Sequence, residues 1–355
     1  MSCLSSIRKI VLAAGGTGGH IWPAISFGRW ITKHHPECET TYFCGSRPLE
    51  LEIYHAAGIK PVILNLEGSP LAGSGLLQKA RRCGSLLSAC SEATSSLRKL
   101  KPDKALLFGG YLSFPMLLGC KRLKISCAMH EQNARAGKVT RFAASFGVRI
   151  YTGWKECKPL AEKKFLRTGV PVRSFSLPDS SKASSSLGIK EELKGPKVVV
   201  FTGSLGSASI KAAIESVASM EEFRGWSFIM PAVSEKPQHP RENLWLLPRV
   251  WETENIYGAA DILVLRCGGS TLTEAEVLGI PSVAVPWKRA ADNHQYYNAL
   301  SFVSEARAVI YNEDEGPEKL ASILSELGAN LKKNEIPCGA EIICENLWSA
   351  LCCAN

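Results

Sequence analysis

The sequence predicts an α/β protein made of two Rossmann-like, doubly wound domains with a cleft between them, and three observations predict it. Short apolar runs alternate with helical patterns along the whole chain, as strands of a parallel sheet alternate with their crossover helices. Four of those runs end in glycine turns, at residues 15–19, 109–111, 203–207 and 268–271. A Ser-, Pro- and Lys-rich stretch, residues 171–195, separates two halves of similar plan within 355 residues, a length that suits two domains.

The first half opens on a strand over residues 7–13 that runs into Gly15, Gly16, Thr17, Gly18, Gly19 and His20. Four glycines in five residues exceed the need of a tight strand–helix turn. Lacking Cβ, they let backbone N–H groups approach a ligand, and the helix expected from about 24 to 33 turns its positive end to an anion. The usual fingerprints do not fit: Ile21 stands where G-x-G-x-x-G needs glycine, and Gly19-His20 replaces the Gly-Lys of a Walker loop. Further strands are expected at 40–44, 61–64, 104–108, 125–129, 149–152 and about 164–168. After the Ser/Pro/Lys linker the second half repeats the plan, with strands at 197–202, 226–230, 243–246, 261–265, 282–285 and 308–311.

Composition bounds the function. An apolar fraction of 45% and a charged fraction of 21% describe an ordinary globular protein. The 13 cysteines form no Cys-x-x-Cys pair, no Asp-x-Asp motif occurs, and no divalent metal is indicated. The start has no signal-peptide core and no run of about 18 apolar residues spans a bilayer, so a cytosolic, reducing location is expected. Net charge is +9, yet residues 1–173 carry 26 Lys and Arg against 10 Asp and Glu, whereas residues 174–355 carry 16 against 23. That asymmetry points to an acidic partner for the first half. Residues 68–89 interleave Leu71, Leu76, Leu77, Leu86 and Leu87 with Lys79, Arg81 and Arg82, which suits either an anionic bilayer surface or an amphipathic helix lying on the sheet.

Polar residues cluster where these strands end. Gly203–Ser207 and the helix start at Gly268-Gly269-Ser270-Thr271 offer N–H groups to phosphate, and Glu274, one turn further, can accept two ribose hydroxyls or serve as a helix-end charge. His130-Glu131-Gln132-Asn133 follows an apolar strand and implies a ligand or a tight internal network. Asp292-Asn293-His294-Gln295 carries amides and an imidazole suited to hydroxyl recognition. His20 is a candidate general base, with no orienting partner evident.

Seven of these groups in order resemble the MurG family of N-acetylglucosaminyltransferases, glycosyltransferase family 28. They are Gly15 to His20 with Pro23; Gly109-Gly110-Tyr111 with Ser113 and Pro115; His130 to Asn133 with Ala136-Gly137; and Thr168-Gly169 with Pro171-Val172-Arg173. In the second half come Gly203-Ser204 with Gly206; Arg266 with Gly268 and Glu274; and Asp292 with Gln295 and Asn298-Ala299. The resemblance implies a GT-B fold, with an acceptor and membrane domain over 1–173, a donor domain over 174–340, and a tail, 341–355, that packs back on the first domain. It implies inverting transfer of GlcNAc from UDP-GlcNAc to the MurNAc 4-hydroxyl of lipid I (undecaprenyl-diphospho-MurNAc-pentapeptide), giving lipid II and UDP in peptidoglycan synthesis. No cofactor is required.

By this likeness Ser204 and Arg173 meet the donor diphosphate, Glu274 the ribose, the backbone near Val250 the uracil, and Asn133 and Gln295 the sugar, with His294, standing where some members carry a second glutamine, in the donor set. Thr17, Gly18, Gly19, Ser270 and Thr271 complete the donor set. Gly15, Gly16, Gly109, Gly110, Tyr111, His130 and Glu131 face the acceptor, and His20 contacts it or acts as base. The implied partners are an anionic membrane at the cytoplasmic face of the inner membrane and proteins of cell-wall synthesis, with no nucleic acid. The chain departs from the family pattern at Leu205, where a glutamine is usual, and at Val170, where asparagine is common. The rival readings are a GT-B enzyme with another lipid acceptor, a UDP-GlcNAc epimerase, an NADP-dependent oxidoreductase with Arg47 at the 2′-phosphate, and a nucleotide-binding scaffold without catalysis.

Overall fold

A computed structural model describes residues 7–68, 76–203, 206–251, 253–331 and 339–353, with the backbone alone for residues 76–83. It divides into two compact units, one formed by Met1–Arg173 with Gly339–Asn355 and the other by Ser174–Cys338.

In the first unit the chain runs β1 (Lys9–Ala13), α1 (Gly18–His34), β2 (Glu39–Cys44), α2 (Pro48–Ala56), β3 (Val62–Ile63), α3 (Leu76–Leu100), β4 (Lys104–Leu107), α4 (Ser113–Leu123), β5 (Ser126–Glu131), α5 (Lys138–Ser145), β6 (Arg149–Thr152) and β7 (Phe165–Arg167). The strands form one parallel sheet in the order β3-β2-β1-β4-β5-β6-β7, so the order reverses between β1 and β4. Both faces are covered by helices, which is why Ile10, Val11, Leu12 and Ala13 are all buried and the strand reads as a continuous apolar run. Gly28 lets α1 sit close to the sheet: a Cβ there would lie 1.9 Å from the Tyr42 hydroxyl oxygen.

The second unit repeats the plan with α6 (Ser180–Ser186), β8 (Lys197–Phe201), α7 (Ala208–Ala218), β9 (Ser227–Met230), β10 (Gln238–Arg241), β11 (Leu244–Leu246), α8 (Glu254–Gly258), β12 (Ile262–Arg266), α9 (Gly269–Leu278), β13 (Ser282–Val285), α10 (His294–Val303), β14 (Ala308–Ile310) and α11 (Gly316–Ala329). Its sheet order is β10-β11-β9-β8-β12-β13-β14, with the reversal between β8 and β12. Val198, Val200, Ile210, Phe228, Val264 and Leu324 belong to its core.

The last helix, α12 (Gly339–Cys353), belongs to the first unit. Trp348 stacks on His35 at 4.4 Å and packs against Phe27 and Trp30, while Glu341 takes Lys33 at 2.9 Å and His34 at 3.0 Å. At its far end the carbonyls of Ala350 and Leu351, which lack partners within the helix, accept from the Tyr151 hydroxyl and the Lys104 ammonium.

Two expectations are corrected and one strand is added. Helix α1 begins at Gly18, six residues before the predicted start, so Gly18, Gly19 and His20 form its first turn and only Gly16, at φ 105°, uses a left-handed backbone. The Ser/Pro/Lys stretch is no plain linker: it holds α6, capped by the Asp179 side chain, with Ala183 and Ile189 buried. Strand β10 was not foreseen, because Gln-His-Pro-Arg is wholly exposed and has no strand pattern; it is an antiparallel edge strand, where Pro240 is tolerated. Of the expected membrane segment, Leu71 lies outside the described residues. Leu76, Leu77, Lys79, Arg81 and Arg82 lie on α3, and their side chains also fall outside them.

Candidate active site

In open parallel sheets, ligands bind beyond the carboxyl ends of the strands where the order reverses. In the first unit that point is flanked by the loop after β1 and by Gly109-Gly110 after β4, both at positive φ (78° and 72°). The loop after β1 is held from below by Glu50, a fully buried carboxylate on α2. It accepts from the N–H of Gly16 and of Gly45, each at 2.8 Å, and from the Tyr111 hydroxyl. A Cβ on Gly15 would come within 2.8 Å of the Glu50 carboxylate, so a larger residue there would push the clamp aside. Tyr111, expected to face the acceptor, has its hydroxyl engaged by Glu50 and by Leu66 O, and burial with the adjacent carboxylate pushes its pKa well up. Arg47 is also held internally, by Glu67 O and the Tyr111 ring 4.8 Å away, rather than standing ready for a 2′-phosphate.

His20, half-buried in the first turn of α1, lies over this glycine floor: a Cβ on Gly109 would sit 3.5 Å from its Nδ1, and one on Gly110 3.7 Å from its Nε2. Its Nδ1 is 2.7 Å from Gln132 Oε1. Gln132 Nε2 in turn is 3.1 Å from His130 Nδ1 and 2.9 Å from His130 O, and His130 Nε2 is 2.8 Å from Gly169 O. His130 is fully buried, and burial lowers its pKa to about 4 even though the Gly169 carbonyl opposes the shift. The acceptor contact expected of His130 is therefore corrected to an internal one. Glu131 is corrected likewise: its carboxylate accepts from Asn133 N–H and Nδ2, Gly137 N–H and the Thr140 hydroxyl, and so builds the turn that carries Asn133. Arg173 lies over the Trp22 ring at 4.3 Å, beside the start of α1.

The second unit presents the equivalent loops. Gly203 and Gly206 adopt φ of 82° and 74° after β8; Ser204, between them, lies outside the described residues. Arg266, at the end of β12, is buried and bidentate to Glu313, 2.8 Å at each oxygen, and reaches Ser207 Oγ at 2.5 Å. Burial alone would raise the Glu313 carboxyl, but Arg266 and Ser209 offset it and its pKa falls below the ordinary value. Helix α9 starts at Gly269 without a side-chain cap, with Ser270 buried and Thr271 half-buried in its first turn. Glu274 is buried and accepts from the Tyr257 hydroxyl at 2.6 Å, and Tyr257 is held between Phe175 and Phe201. Gln295 Oε1 accepts from Trp287 N–H at 2.9 Å, His294 Nδ1 is 2.8 Å from Ala291 O, and Val250 lies in the loop after β11. Among the described residues no three His, Cys, Asp or Glu side chains gather to hold a metal ion.

Sequence reasoning missed the parts played by Gln132, Glu50, Tyr257 and Glu313. Gln132 stood inside a quoted motif, two residues from His130, and that spacing was the available signal. Glu50, Tyr257 and Glu313 carry no local signal, because each acts on a residue distant in sequence.

The chain matches the glycosyltransferase family 28 N-terminal domain over residues 10–152 and the family 28 C-terminal domain over residues 197–338. It is 30% identical to the UDP-N-acetylglucosamine–N-acetylmuramyl-(pentapeptide) pyrophosphoryl-undecaprenol N-acetylglucosamine transferase of Prosthecochloris aestuarii, over 92% of this chain and 93% of that protein. The enzyme of the same name from Caldicellulosiruptor saccharolyticus is also 30% identical, over 90% and 89%. Among solved structures, Acinetobacter baumannii MurG superposes with a TM-score of 0.66 at 20% identity, over 96% of this chain and 94% of that one. A UDP-GlcNAc 2-epimerase from Neisseria meningitidis also reaches 0.66, at 15% identity over 97% and 99%. At these identities the two structures speak for the fold alone.

Proposed function

The chain belongs to glycosyltransferase family 28, and from that premise we propose that it transfers N-acetylglucosamine from UDP-GlcNAc to the MurNAc 4-hydroxyl of undecaprenyl-diphospho-MurNAc-pentapeptide, with inversion. The observation that carries this reading is His20, held over the Gly109-Gly110 floor with its Nδ1 hydrogen-bonded to Gln132. Among the described residues its Nε2 makes no hydrogen bond and the ring forms no ion pair, so this nitrogen is available as a general base. The acceptor hydroxyl gives its proton to Nε2, its oxygen forms the bond to the sugar C1, and the bond from C1 to the diphosphate oxygen breaks to release UDP. The negative charge that develops on UDP suits the N–H groups at the start of α9, with Ser204 and Arg173 as further diphosphate contacts. Glu274 takes the ribose hydroxyls, Val250 the uracil, and Asn133, His294 and Gln295 the sugar.

The diphosphate of the lipid acceptor meets the glycine loops of the first unit, which also meets the membrane. Exposed apolar residues outside the segment that the sequence singled out support this reading. Leu87 on α3 is 73% exposed and Phe146, just after α5, 59%; Leu118 on α4 and Phe142 on α5 are exposed too, with Phe142 touching Phe114 and Phe146. Exposed Lys121, Arg122 and Lys138 lie on the same helices. Apolar side chains among cations suit an anionic leaflet, and the localisation that follows is the cytoplasmic face of the inner membrane. Among the described residues no helix is long and apolar enough to cross a membrane.

The test is incubation with UDP-GlcNAc and a soluble-chain lipid I analogue. UDP and a disaccharide product are expected in equal amounts. Conversion of UDP-GlcNAc without acceptor, to its C2 epimer, would replace this reading with an epimerase. Flotation with phosphatidylglycerol vesicles tests the surface: Phe142→Glu with Phe146→Glu should abolish co-flotation, and unchanged flotation rejects that assignment.

A further inference from the structure

The hydrogen bonds behind His20 have a direction, and it can be read from the groups that have no choice. Carbonyl oxygens only accept. Gly169 O lies 2.8 Å from His130 Nε2, so that nitrogen carries the proton. His130 O lies 2.9 Å from Gln132 Nε2, which fixes the amide with its NH2 on that side and its oxygen toward His20. Neutral His130 then offers its Nδ1 lone pair to the second amide hydrogen at 3.1 Å, and its burial keeps it neutral. The amide oxygen can only accept, so His20 Nδ1 donates.

We propose that Gln132 and His130 are positioning residues that hold His20 as its Nδ1–H tautomer and leave Nε2 as the basic nitrogen, with the direction set by the carbonyls of Gly169 and His130. The origin of the chain is itself fixed. Gly169 has φ 88°, and a Cβ on it would lie 2.7 Å from Ile343 of α12, so the last helix packs against the residue that starts the relay. The ring of His20 faces Gly16, Gly109, Gly110 and the neutral Gln132 amide, and the nearby Glu50 carboxylate is occupied by Gly16, Gly45 and Tyr111. Among the described residues the imidazole forms no ion pair, so the hydrogen bond at Nδ1 chooses the tautomer. This inference rests on His20 being the base of the transfer.

The experiment is 15N NMR of the full chain labelled in its histidine rings, at pH 8, with the His20 signals assigned by a His20→Gln variant. In the wild type His20 is expected protonated at Nδ1 and bare at Nε2. Gln132→Leu should move the proton to Nε2 and lower kcat about 100-fold, while KM for UDP-GlcNAc stays within about twofold. Gln132→Glu keeps an acceptor at Nδ1, so it should retain the His20 tautomer even though an ionised carboxylate no longer donates to His130. An Nε2–H tautomer in the wild type, or one unchanged in Gln132→Leu, overturns the proposal. If the Leu variant does not fold, a Gln132→Glu variant whose His20 tautomer switches overturns it equally. Were the tautomers as expected but no disaccharide formed by the wild type, the relay would stand and the transferase reading would fall.

Discussion

Replacing Glu50 removes the acceptor for three donors at once, from a carboxylate with no exposed surface. A buried donor left unmet costs about 1–3 kcal/mol. Gly16 is half-buried, so water can reach its N–H. The cost then falls on the Gly45 N–H, which is buried, and on the Tyr111 hydroxyl, whose second contact to Leu66 O at 3.1 Å survives. Glu50→Ala is therefore expected to destabilise by about 2–4 kcal/mol once release of the carboxylate from its buried site offsets part of the loss. Urea unfolding followed by tryptophan fluorescence measures it. Tyr111→Phe alone should cost about 1 kcal/mol and should cost less in the Glu50→Ala background, where only the contact to Leu66 O remains to be lost. Since the clamp holds the loop after β1, catalysis should fall by more than the unfolded fraction explains. A loss for Glu50→Ala below about 1 kcal/mol, or additive costs for the pair, would refute this account.

His130 should give stability its own pH dependence. Its pKa in the folded chain is about 4 against an ordinary 6.5, so the contribution is whole above about pH 6.5 and is lost as pH falls toward 4, amounting to about 3 kcal/mol. Unfolding free energies at pH 7 and pH 4 should differ by that much more in the wild type than in His130→Gln, and equal differences would count against it. Tyr257→Phe should raise KM for UDP-GlcNAc about tenfold with kcat unchanged and narrow the preference over the 2′-deoxyribose donor, since Tyr257 orients Glu274; an unmoved preference would leave Tyr257 a packing residue. Gly28→Ala should cost about 1–3 kcal/mol, because its Cβ would overlap the Tyr42 hydroxyl, and a thermal midpoint unchanged from wild type would show that α1 shifts freely.

The frame of this molecule was open to reading because parallel strands buried on both faces announce themselves locally. Val198–Val200 or Leu263–Leu265 cannot be surface. The edge strand β10 escaped because its four residues are exposed and no apolar alternation is imposed on them. The site divided along the same line. Gly109, Gly203 and Gly268 were visible because turns at strand ends demand a residue type, whereas the meaning of His130 depended on what lay 39 residues away at Gly169. A buried histidine and a ligand-binding one look alike in a sequence, and only the neighbours on each ring nitrogen separate them. Glu50 and Glu313 were hidden for the same reason, as charges whose partners are fixed by topology.

Helix α12 has a consequence for how the protein is made. The contact of Lys33 with Glu341 joins residues 308 apart, and all of Ser174–Cys338 is synthesised between Arg173 and the helix that completes the unit to which Arg173 belongs. At ~5–20 residues per second that interval lasts on the order of ten seconds or more. Throughout it the nascent first unit must wait with the apolar surfaces of Phe27 and Trp30 and the ammonium of Lys104 uncovered by their final partner. The second unit, continuous in sequence, is complete first. Ribosome-bound chains halted before residue 339 are therefore the species in which this protein most needs a chaperone.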